Sequence, residues 1–568
     1  MRELFSADRV GCAGRVTLPH RGAPIDFAHI PYIAFPERAI PASPAYLRQW
    51  LRPGCAVPEP PPRHTYFALG GILRRSSDDD LIDRISFALR TGAHARLAEV
   101  PGDLVGCLVA ADRVYLFRSL FTRDTLFYRQ SGNTLEWSSD PADLVPDALD
   151  ALDRDTLRRI CRGDSVFAYR GLGWLRPGHL LIFDGHTART VRYDRIEPAP
   201  LPRGSTMRDY ADRAWELLLG ACRPYADSGR VGLLLSGGLD SAAVAAALVS
   251  AGADVTAYHL DTPDPLADES GYARAVAGHL SIPFTPIPTD IGPGYLDPRW
   301  RFAHPYNHTG FRWLEQAVRR VAEDGVGLLT WGRDGDLLFG PLLRYGVRDV
   351  LTGRVSRSEK LLMLRGLLSS RWRTSSLIAS VRGSYSLVTE NAPIGENAHH
   401  TDFLVPAPDP PFEFPDPEFV PEEQTTDLAL SWPHGVSFCS PMADRELYEL
   451  LTGMPVAYRC VAHGGRTIGK PVLRLLLQDR LPPVIWRRHG RMWPDSPHES
   501  FCMNHPAVLA DLLGPDALLA RLNIVDPRRL AAVLADPMLL RRNAETLVYT
   551  AMTELFLRGL EHRTPVRS

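Results

Sequence analysis

An apolar stretch that runs into a glycine-rich turn and then into an alanine-rich helix constrains this chain most. The stretch, Val231–Leu235, is typical of a strand buried at the centre of a parallel sheet, and Ala242–Ser250 is typical of a helix. The turn between them reads Ser236, Gly237, Gly238, Leu239, Asp240 and Ser241. Glycines let a backbone approach a ligand closely, and the start of a helix offers unpaired N–H groups. The turn therefore predicts a phosphate-binding site.

The side chains of the turn add to this prediction. The hydroxyls of Ser236 and Ser241 are hydrogen-bond donors. Asp240 would repel a phosphate, so we expect it to bind a Mg²⁺ ion that bridges to phosphate oxygens. The pattern differs from the G-x-x-x-x-G-K-[ST] loop. The alternative is a plain strand–turn–helix whose glycines serve only the turn.

The pattern along the chain changes at a proline-rich stretch, residues 197–204, which is typical of a linker. Before it, short β-like runs predominate, namely 103–110, 113–117 and 179–183. After it, strand-like runs alternate with helical patterns, which predicts a parallel sheet with helices on both faces. The predicted strands are 231–235, 253–260 and 327–330, and the predicted helices are 207–221, 242–250 and 271–280. Residues after about 441 have a helical pattern, and 406–423 is predicted to be a long surface loop.

Bulk properties exclude several classes of protein. With 568 residues, the chain is expected to form at least two domains, and a net charge of −2 gives no reason to expect a nucleic-acid partner. Its first residues lack the apolar core of a signal peptide, and no apolar run reaches the ~20 residues that span a bilayer. The eight cysteines are dispersed without a C-x-x-C pair. We therefore expect reduced thiols and a cytoplasmic protein.

Lysine is rare in this chain, and its rarity is informative. The only two lysines are Lys360 and Lys470, and every other basic residue apart from histidine is arginine. A lysine that persists against this bias is a candidate for a task that arginine cannot perform. Lys360 has no motif around it and is expected to lie on the surface.

The turn at 236–241 resembles the pyrophosphate loop of the N-type ATP pyrophosphatases, and the wider chain resembles the asparagine synthetase family. Further motifs lie before and after this turn, in the order that the family has them. They are 102–106, 123–128, 175–179, 268–274, 331–340, 440–444 and 470–474. The resemblance implies an α/β protein in two parts. Residues 1–200 would form a glutaminase-like, Ntn-type α+β sandwich. Residues 205–568 would form a doubly wound, parallel-sheet ATP pyrophosphatase (adenylating) domain with a helical C-terminal part.

The resemblance also implies ATP and Mg²⁺ as cofactors and assigns roles to individual residues. Leu235, Leu260, Trp331 and Gly332 would hold the adenine, and Asp240 and Asp336 would hold Mg²⁺. Lys470 would stabilise the negative charge that develops during adenylation and during amide formation, because a mobile ammonium can contact the charged oxygens in both steps. Arg474, one helical turn later, would assist with pyrophosphate. The alternative for Asp336 is a helix N-cap, and that for Lys470 and Arg474 is a solvated helix face.

One departure from the family indicates where the amine comes from. Glutamine-using members carry a nucleophilic Cys directly after Met, whereas this chain has Arg2. We therefore expect a glutaminase-like domain without its nucleophile, and an amine supplied by another substrate. Residues 545–558 resemble the terminal helix of lasso cyclases, and residues 341–440 depart from the family as expected for a remade peptide site.

The chain therefore most resembles the lasso peptide macrolactam synthetases. Such an enzyme adenylates an Asp or Glu side chain of a core peptide, which the peptide's own N-terminal amine then attacks. The expected partner is the precursor or core peptide, and a leader-recognition protein and a leader peptidase are further candidates. Open alternatives are a small-molecule amide or β-lactam-type synthetase of the same family and a non-catalytic peptide-binding scaffold. A tRNA-modifying enzyme shares the loop type, but it would normally carry a basic tail or an added Cys motif, and the sequence has neither.

A second departure concerns proton transfer from the amine. Arg333 stands where asparagine synthetases have Glu and β-lactam enzymes have Tyr, and a guanidinium cannot serve as a base at neutral pH. Asp334 or Glu359 could accept the proton instead. Arg333 could contact a phosphate or the substrate carboxylate, or it could be an ordinary loop residue.

Overall fold

The computed structural model describes the chain in segments. They are residues 13–17, 66–72, 81–100, 103–109, 112–122, 125–138, 144, 152–163, 169, 171–226, 229–296, 311–340, 350–351, 353–369, 401–405, 434, 436–463, 466–488 and 496–561. The loop predicted at 406–423 and the motif at 123–128 therefore lie wholly or partly outside the described residues. Most of the region 341–440 lies outside them as well.

Two antiparallel sheets form from the N-terminal third of the chain. Their strand orders are β1-β6-β5-β7 and β2-β3-β4-β8-β9. The strands are β1 (Ala13–Thr17), β2 (Tyr66–Ile72), β3 (Asp103–Val109), β4 (Val114–Arg118), β5 (Phe127–Ser131), β6 (Thr134–Ser138), β7 (Gly173–Trp174), β8 (His179–Phe183) and β9 (Ala188–Arg192).

Strand β4 explains how these sheets pack. Because successive side chains of a strand point to opposite faces, Val114 and Leu116 enter a core shared with Trp137 of β6, in the other sheet. Tyr115 and Phe117 enter a second core on the opposite face, with the helix α1 (Leu81–Thr91). Both faces of the five-stranded sheet are thus buried. The glutaminase-like assignment of this region stays a prediction.

The predicted parallel sheet is confirmed. Its strand order is β12-β11-β10-β13-β14, and each neighbouring pair is parallel. Its strands are β10 (Arg230–Leu234), β11 (Asp254–Asp261), β12 (Phe284–Pro288), β13 (Leu328–Thr330) and β14 (Ser437–Cys439). A separate antiparallel hairpin consists of β15 (Cys460–His463) and β16 (Arg466–Gly469). Strands β10, β11 and β13 match the sequence predictions to within about two residues.

Helices cover both faces of the parallel sheet, as the alternating pattern predicted. Helices α3, α4 and α5 share one core with Val231, and α6 shares another with Tyr258 on the opposite face. The helices after α1 are α2 (Arg154–Cys161), α3 (Met207–Ala226), α4 (Leu239–Ser250), α5 (Ser270–Leu280), α6 (Phe311–Glu323), α7 (Gly335–Phe339), α8 (Arg357–Ser369), α9 (Arg445–Thr452), α10 (Pro471–Gln478), α11 (Pro483–Trp486), α12 (Ser496–Asn504), α13 (Pro506–Leu513), α14 (Leu518–Arg521), α15 (Pro527–Ala535), α16 (Pro537–Arg542) and α17 (Ala544–Glu561).

The C-terminal helices build a core of their own, as the helical pattern after residue 441 predicted. Leu547 and Val548 of α17 are fully buried in it, together with Leu157 of α2. Helix α2 lies within residues 1–200, so this stretch of chain contributes to more than one core. Buried Glu554 accepts hydrogen bonds from the N–H groups of Leu518 and Leu519, at 2.9 Å each, and so satisfies the start of α14.

No helix in the described part of the chain is both long and apolar enough to cross a membrane.

Candidate active site

The glycine-rich loop connects the carboxyl end of β10 to α4, which is the edge of a parallel sheet where ligands bind. Gly237 has φ +92°, and a Cβ at this position would lie 2.7 Å from the carbonyl oxygen of Glu269. Only glycine satisfies both restraints. The hydroxyls of Ser236 and Ser241 lie 3.1 Å apart across the loop, and the Ser236 hydroxyl also accepts a hydrogen bond from the Gly238 N–H at 3.2 Å.

A buried arginine braces this loop. Arg488 donates a hydrogen bond from Nη1 to the carbonyl oxygen of Gly237 at 2.8 Å, and it forms an ion pair with Glu269. Its guanidinium also stands 4.3 Å over the ring of Tyr272. Sequence analysis missed Arg488, although Glu269 belongs to the motif at 268–274 that carried the resemblance.

Lys470 brings the two predicted metal ligands together. Its ammonium forms ion pairs with both carboxylates and lies 2.7 Å from Oδ1 of Asp336. Asp240 comes from the first turn of α4, Asp336 from the first turn of α7, and Lys470 directly precedes α10. Three residues that are far apart in sequence therefore meet beside the glycine-rich loop.

The protonation of Lys470 follows from its surroundings. Burial alone would lower the pKa of this ammonium, but the charges of Asp240 and Asp336 more than offset that effect and raise the pKa above its ordinary value. Lys470 is therefore cationic at neutral pH. It neutralises part of the charge of two neighbouring carboxylates that would otherwise repel each other.

The backbone at Lys470 is held in an unusual conformation. Its φ is +52°, in the left-handed region that side-chain-bearing residues rarely adopt, and Pro471 follows at the first position of α10. The N–H of Lys470 donates to the carbonyl oxygen of Arg459 at 3.0 Å. Arg459 in turn donates to the carbonyl oxygens of Leu337 and Leu338 at 2.9 Å each, and burial lowers its pKa to about 10. Arg459 thus links the loop of Lys470 to the helix that carries Asp336.

Two glycines let the segment after β13 pack closely against the glycine-rich loop. A Cβ at Gly332 would lie 2.6 Å from the carbonyl carbon of Asp240 and 2.7 Å from Cα of Ser241. A Cβ at Gly335 would overlap the carboxylate of Asp240. The motif at 331–340 therefore fixes the position of Asp240 through steric contact.

The remaining predicted residues after β13 form an aromatic stack. The ring of Trp331 stacks on Phe438 with 4.8 Å between centroids, and the guanidinium of Arg333 stands 4.8 Å over the same Trp331 ring. The hydroxyl of Ser440 donates to the carbonyl oxygen of Arg333 at 3.1 Å. A role for Trp331 and Gly332 in holding adenine, and for Arg333 at a phosphate, stays a prediction.

The backbone of Leu235 already has partners within the protein. Its N–H donates to the carbonyl oxygen of Tyr258 at 2.8 Å, and its carbonyl oxygen accepts from Nδ1 of His259 at 2.7 Å. A carbonyl has two lone pairs, so one remains for a ligand. Leu260 pairs with Ile287 across β11 and β12. The adenine-binding roles predicted for Leu235 and Leu260 stay predictions.

The guanidinium of Arg474 contacts backbone carbonyls. Nε donates to Gly469 at 2.8 Å, and Nη1 donates to Trp486 at 2.9 Å and to Arg488 at 2.7 Å. These bonds fix the chain just before Lys470 and the backbone of the arginine that braces the loop. Arg474 is therefore a positioning residue in this structure, and its predicted contact with pyrophosphate stays a prediction.

Glu359, one of the two predicted proton acceptors, is engaged in structural contacts. Its Oε1 accepts from the Met207 N–H at 3.0 Å, and its Oε2 accepts from the Ser356 hydroxyl at 2.6 Å and from the Tyr458 hydroxyl. The bond from Met207 ties α8 to α3, and the bond from Tyr458 ties α8 to the segment before β15. The role of Asp334 or Glu359 as proton acceptor stays a prediction.

The donor set at Asp240 and Asp336 fits Mg²⁺. Magnesium prefers carboxylate oxygens and keeps several water ligands. The Asp240 side chain is 18% exposed and that of Asp336 is 58% exposed, so one carboxylate is anchored and the other faces solvent. Their separate origins at two strand ends would let them hold an ion against the phosphates of a nucleotide in the glycine-rich loop.

Two segments of the chain that contribute to this site match a known family. The family model described as asparagine synthase matches residues 221–291 and 424–558. The first segment contains Asp240 and its loop, the second contains Lys470, and Asp336 lies between them. The match supports the asparagine synthetase family for these two segments of the chain.

Other comparisons add little to the asparagine synthase match. No curated protein matches the chain. Matching solved structures include NMN synthetase from Francisella tularensis, with 23% identity, a TM-score of 0.17 and coverage of 22% of this chain and 54% of that one. They also include glutamine phosphoribosylpyrophosphate amidotransferase from B. subtilis, with 13% identity, a TM-score of 0.16 and coverage of 39% and 45%. The chain spans about half the length of these structures, and TM-scores this low do not establish a shared fold.

Proposed function

We propose that the chain uses ATP to convert a carboxylate into its adenylate and then joins it to an amine. The observation that carries this proposal is the contact of Lys470 with both Asp240 and Asp336 beside the glycine-rich loop. The asparagine synthase match over 221–291 and 424–558 supports it independently, because the match includes the loop and the lysine.

The proposed reaction has two steps whose charges suit this site. A substrate carboxylate oxygen attacks the α-phosphorus of ATP, and the bond to the leaving pyrophosphate breaks. The amine then attacks the acyl carbon of the adenylate, AMP leaves, and the amine loses a proton. In both steps negative charge grows on oxygens, and the ammonium of Lys470 would stabilise it.

Each group at the site has a task in this scheme. The N–H groups of the loop and the hydroxyls of Ser236 and Ser241 would cradle the phosphates. Asp240 and Asp336 would hold Mg²⁺, which supplies positive charge to the phosphate oxygens when bound. Arg488 and Arg474 would keep the loop and Lys470 in place, since both bond to backbone carbonyls of the site.

Proton removal from the amine requires a base near the acyl carbon. Arg333 is unsuited because its guanidinium stays charged, and the carboxylate of Glu359 is occupied by three donors. We assign this step to Asp334, which lies between Gly332 and Asp336 at the start of α7. An Asp334→Asn variant should keep pyrophosphate–ATP exchange and lose amide formation. Loss of both reactions together would contradict the assignment.

The substrate we propose is a core peptide whose Asp or Glu side chain closes onto its own N-terminal amine, as in lasso peptide biosynthesis. The resemblance of residues 545–558 to the terminal helix of lasso cyclases supports this choice, and so do the departures at residue 333 and in 341–440. A leader-recognition protein and a leader peptidase are the proposed partners. The enzyme would contribute most to the rate of ring closure by holding the folded peptide with its amine next to the activated carboxyl group.

The test is mass spectrometry of candidate peptides incubated with the full-length chain, with and without ATP. The proposal predicts ATP-dependent loss of one water from a leader-free core peptide, with release of AMP and pyrophosphate. A matched peptide with Asn or Gln at the acceptor position should stay unchanged. If small amino acids or β-amino acids support AMP release and no peptide does, the small-molecule alternative is correct instead.

A further inference from the structure

A second cluster of ligand-type side chains lies at the same edge of the parallel sheet. One ring nitrogen of His259 and one carboxylate oxygen each of Asp261 and Asp268 lie within 4.8 Å of one another. Among the residues that the structure describes, this is the one group of His, Cys, Asp and Glu side chains spaced to bind a metal. The proposed catalytic site uses none of these three residues.

His259 is oriented like a metal ligand. Its ring is 3% exposed, and its Nδ1 lies 2.7 Å from the carbonyl oxygen of Leu235. Because a carbonyl can only accept, Nδ1 carries the hydrogen and the lone pair resides on Nε2. Nε2 is buried and has no hydrogen-bond partner among the residues that the structure describes. A buried acceptor of this kind costs stability unless a ligand satisfies it.

The histidine ring is also held in place from a second side. Phe284 of β12 stacks on it with 5.8 Å between ring centroids and an interplanar angle of 27°. A metal-binding histidine usually donates its other ring N–H to a carbonyl or carboxylate, which fixes both tautomer and orientation. The Leu235 carbonyl provides this support here, before any ion binds.

The two carboxylates reach His259 from adjacent segments. Asp261 follows it by two residues on β11, so both side chains emerge on the same face of the sheet. Asp268 precedes α5, and its Oδ1 accepts from the N–H of Ser270 at 2.8 Å. Asp268 is exposed, which gives an ion a path from solvent.

We propose that His259, Asp261 and Asp268 bind a Zn²⁺ ion separate from the Mg²⁺ assigned to Asp240 and Asp336. An imidazole nitrogen with two carboxylate oxygens suits first-row transition metals, whereas Mg²⁺ prefers an all-oxygen set. Three protein ligands leave a tetrahedral Zn²⁺ one position for water.

The position of this site connects it to the glycine-rich loop. His259 bonds to the carbonyl oxygen of Leu235, the residue that enters the loop. Glu269, next to Asp268, pairs with Arg488, which bonds to Gly237 within the loop. A bound ion would fix β11 to the segment before α5. It would thereby support the phosphate-binding backbone from two sides.

The test measures metal binding directly on the full-length chain. Chelator-treated protein is titrated with Zn²⁺ in excess Mg²⁺, and bound zinc is determined by equilibrium dialysis with elemental mass spectrometry. Co²⁺ is titrated in parallel, because its visible absorption reports the ligand geometry. The variants are Asp268→Asn, Asp261→Asn and His259→Gln. The matched controls are Asp254→Asn, at the opposite end of β11, and His279→Gln, at the end of α5.

The proposal predicts one tightly bound Zn²⁺ that the controls and Asp240→Asn retain. Each ligand variant should weaken the affinity by at least 10- to 100-fold, the loss typical even of outer-shell partners. Asp268 is exposed, so Asp268→Asn should fold normally even if His259→Gln does not. The proposal is overturned if the wild-type chain binds no zinc. It is equally overturned if both carboxylate variants bind zinc with unchanged affinity.

Discussion

The ammonium of Lys470 lies 2.7 Å from a carboxylate oxygen of Asp336, a residue 134 positions earlier in the chain, and it also forms an ion pair with Asp240. Two acidic residues at the ends of different strands thus share one cation. A nucleotide with Mg²⁺ would bring its own charges to the same place, so Lys470 would exchange carboxylate partners for phosphate partners on binding.

Replacing Lys470 by alanine should slow adenylation severely without unfolding the protein. The variant loses the ammonium that pairs with both carboxylates, and pyrophosphate–ATP exchange should fall by about 10²- to 10³-fold. Lys360→Ala is the matched control, because the half-buried Lys360 bonds only to the carbonyl oxygen of Leu351, at 3.0 Å, among its described contacts. Exchange by Lys470→Ala at the wild-type rate would show that the lysine takes no part in the chemistry.

Replacing Arg488 by lysine should weaken ATP binding. A lysine cannot bond to Gly237 and pair with Glu269 in the same fork geometry, so the loop loses its brace. We expect KM for ATP to rise by about tenfold or more, with a smaller change in kcat. Arg487→Lys, at the neighbouring exposed position over the Trp486 ring, should leave KM unchanged. Equal effects at 487 and 488 would contradict the bracing role.

Replacing Gly335 by alanine should displace the carboxylate of Asp240. The new methyl group would occupy the space of that carboxylate, so either the side chain or the segment after β13 must move. We expect a loss of Mg²⁺-dependent activity of about 10²-fold, because small displacements of a catalytic group are costly. Gly278→Ala is the control, since a Cβ there meets nothing within 4 Å and alanine favours the helix. Wild-type activity of Gly335→Ala would show that the contact between Gly335 and Asp240 does not affect activity.

The ionisation of Lys470 can be followed directly, because the chain has only two lysines. With isotope-labelled lysine, NMR should show one side-chain signal that titrates above the ordinary pKa of 10.5. Since the folded pKa is raised, Lys470 contributes stability that is complete below the unfolded pKa and is lost as pH rises through the folded pKa.

The variant Asp240→Asn provides the control for this titration. Burial lowers the pKa of Lys470, and the charge of Asp240 offsets part of this effect. Removing that charge should therefore lower the pKa of Lys470 relative to the wild-type protein. An identical titration in the two proteins would mean that Asp240 and Lys470 do not interact in solution.

The parts of the fold that sequence analysis predicted are those with local signals. The strand, glycine turn and helix around Asp240 are contiguous in sequence, so their pattern alone indicates their structure. Lys470 was selected as a candidate because lysine is so rare here, and Asp336 was selected through its motif. Both identifications required the resemblance as well as the pattern.

The brace at Arg488 could not be predicted in the same way. Its partner Glu269 is 219 positions away, and one more arginine in an arginine-rich chain gives no signal. The backbone contacts of Arg474 could not be predicted either. Its position one turn after Lys470 predicted a phosphate contact, which stays a prediction, whereas its hydrogen bonds to three backbone carbonyls depend on the three-dimensional arrangement.

The most direct test of the central claim is calorimetric measurement of ATP binding to the full-length chain, with and without Mg²⁺. Asp336 is suited to it because its side chain is 58% exposed, so Asp336→Asn should fold normally. We expect Mg²⁺-dependent binding by the wild-type protein, binding weaker by about tenfold or more in Asp336→Asn, and wild-type binding in the exposed control Asp511→Asn. Equal ATP affinity of the wild-type and Asp336→Asn proteins in Mg²⁺ would contradict the assignment of Asp336 as a metal ligand.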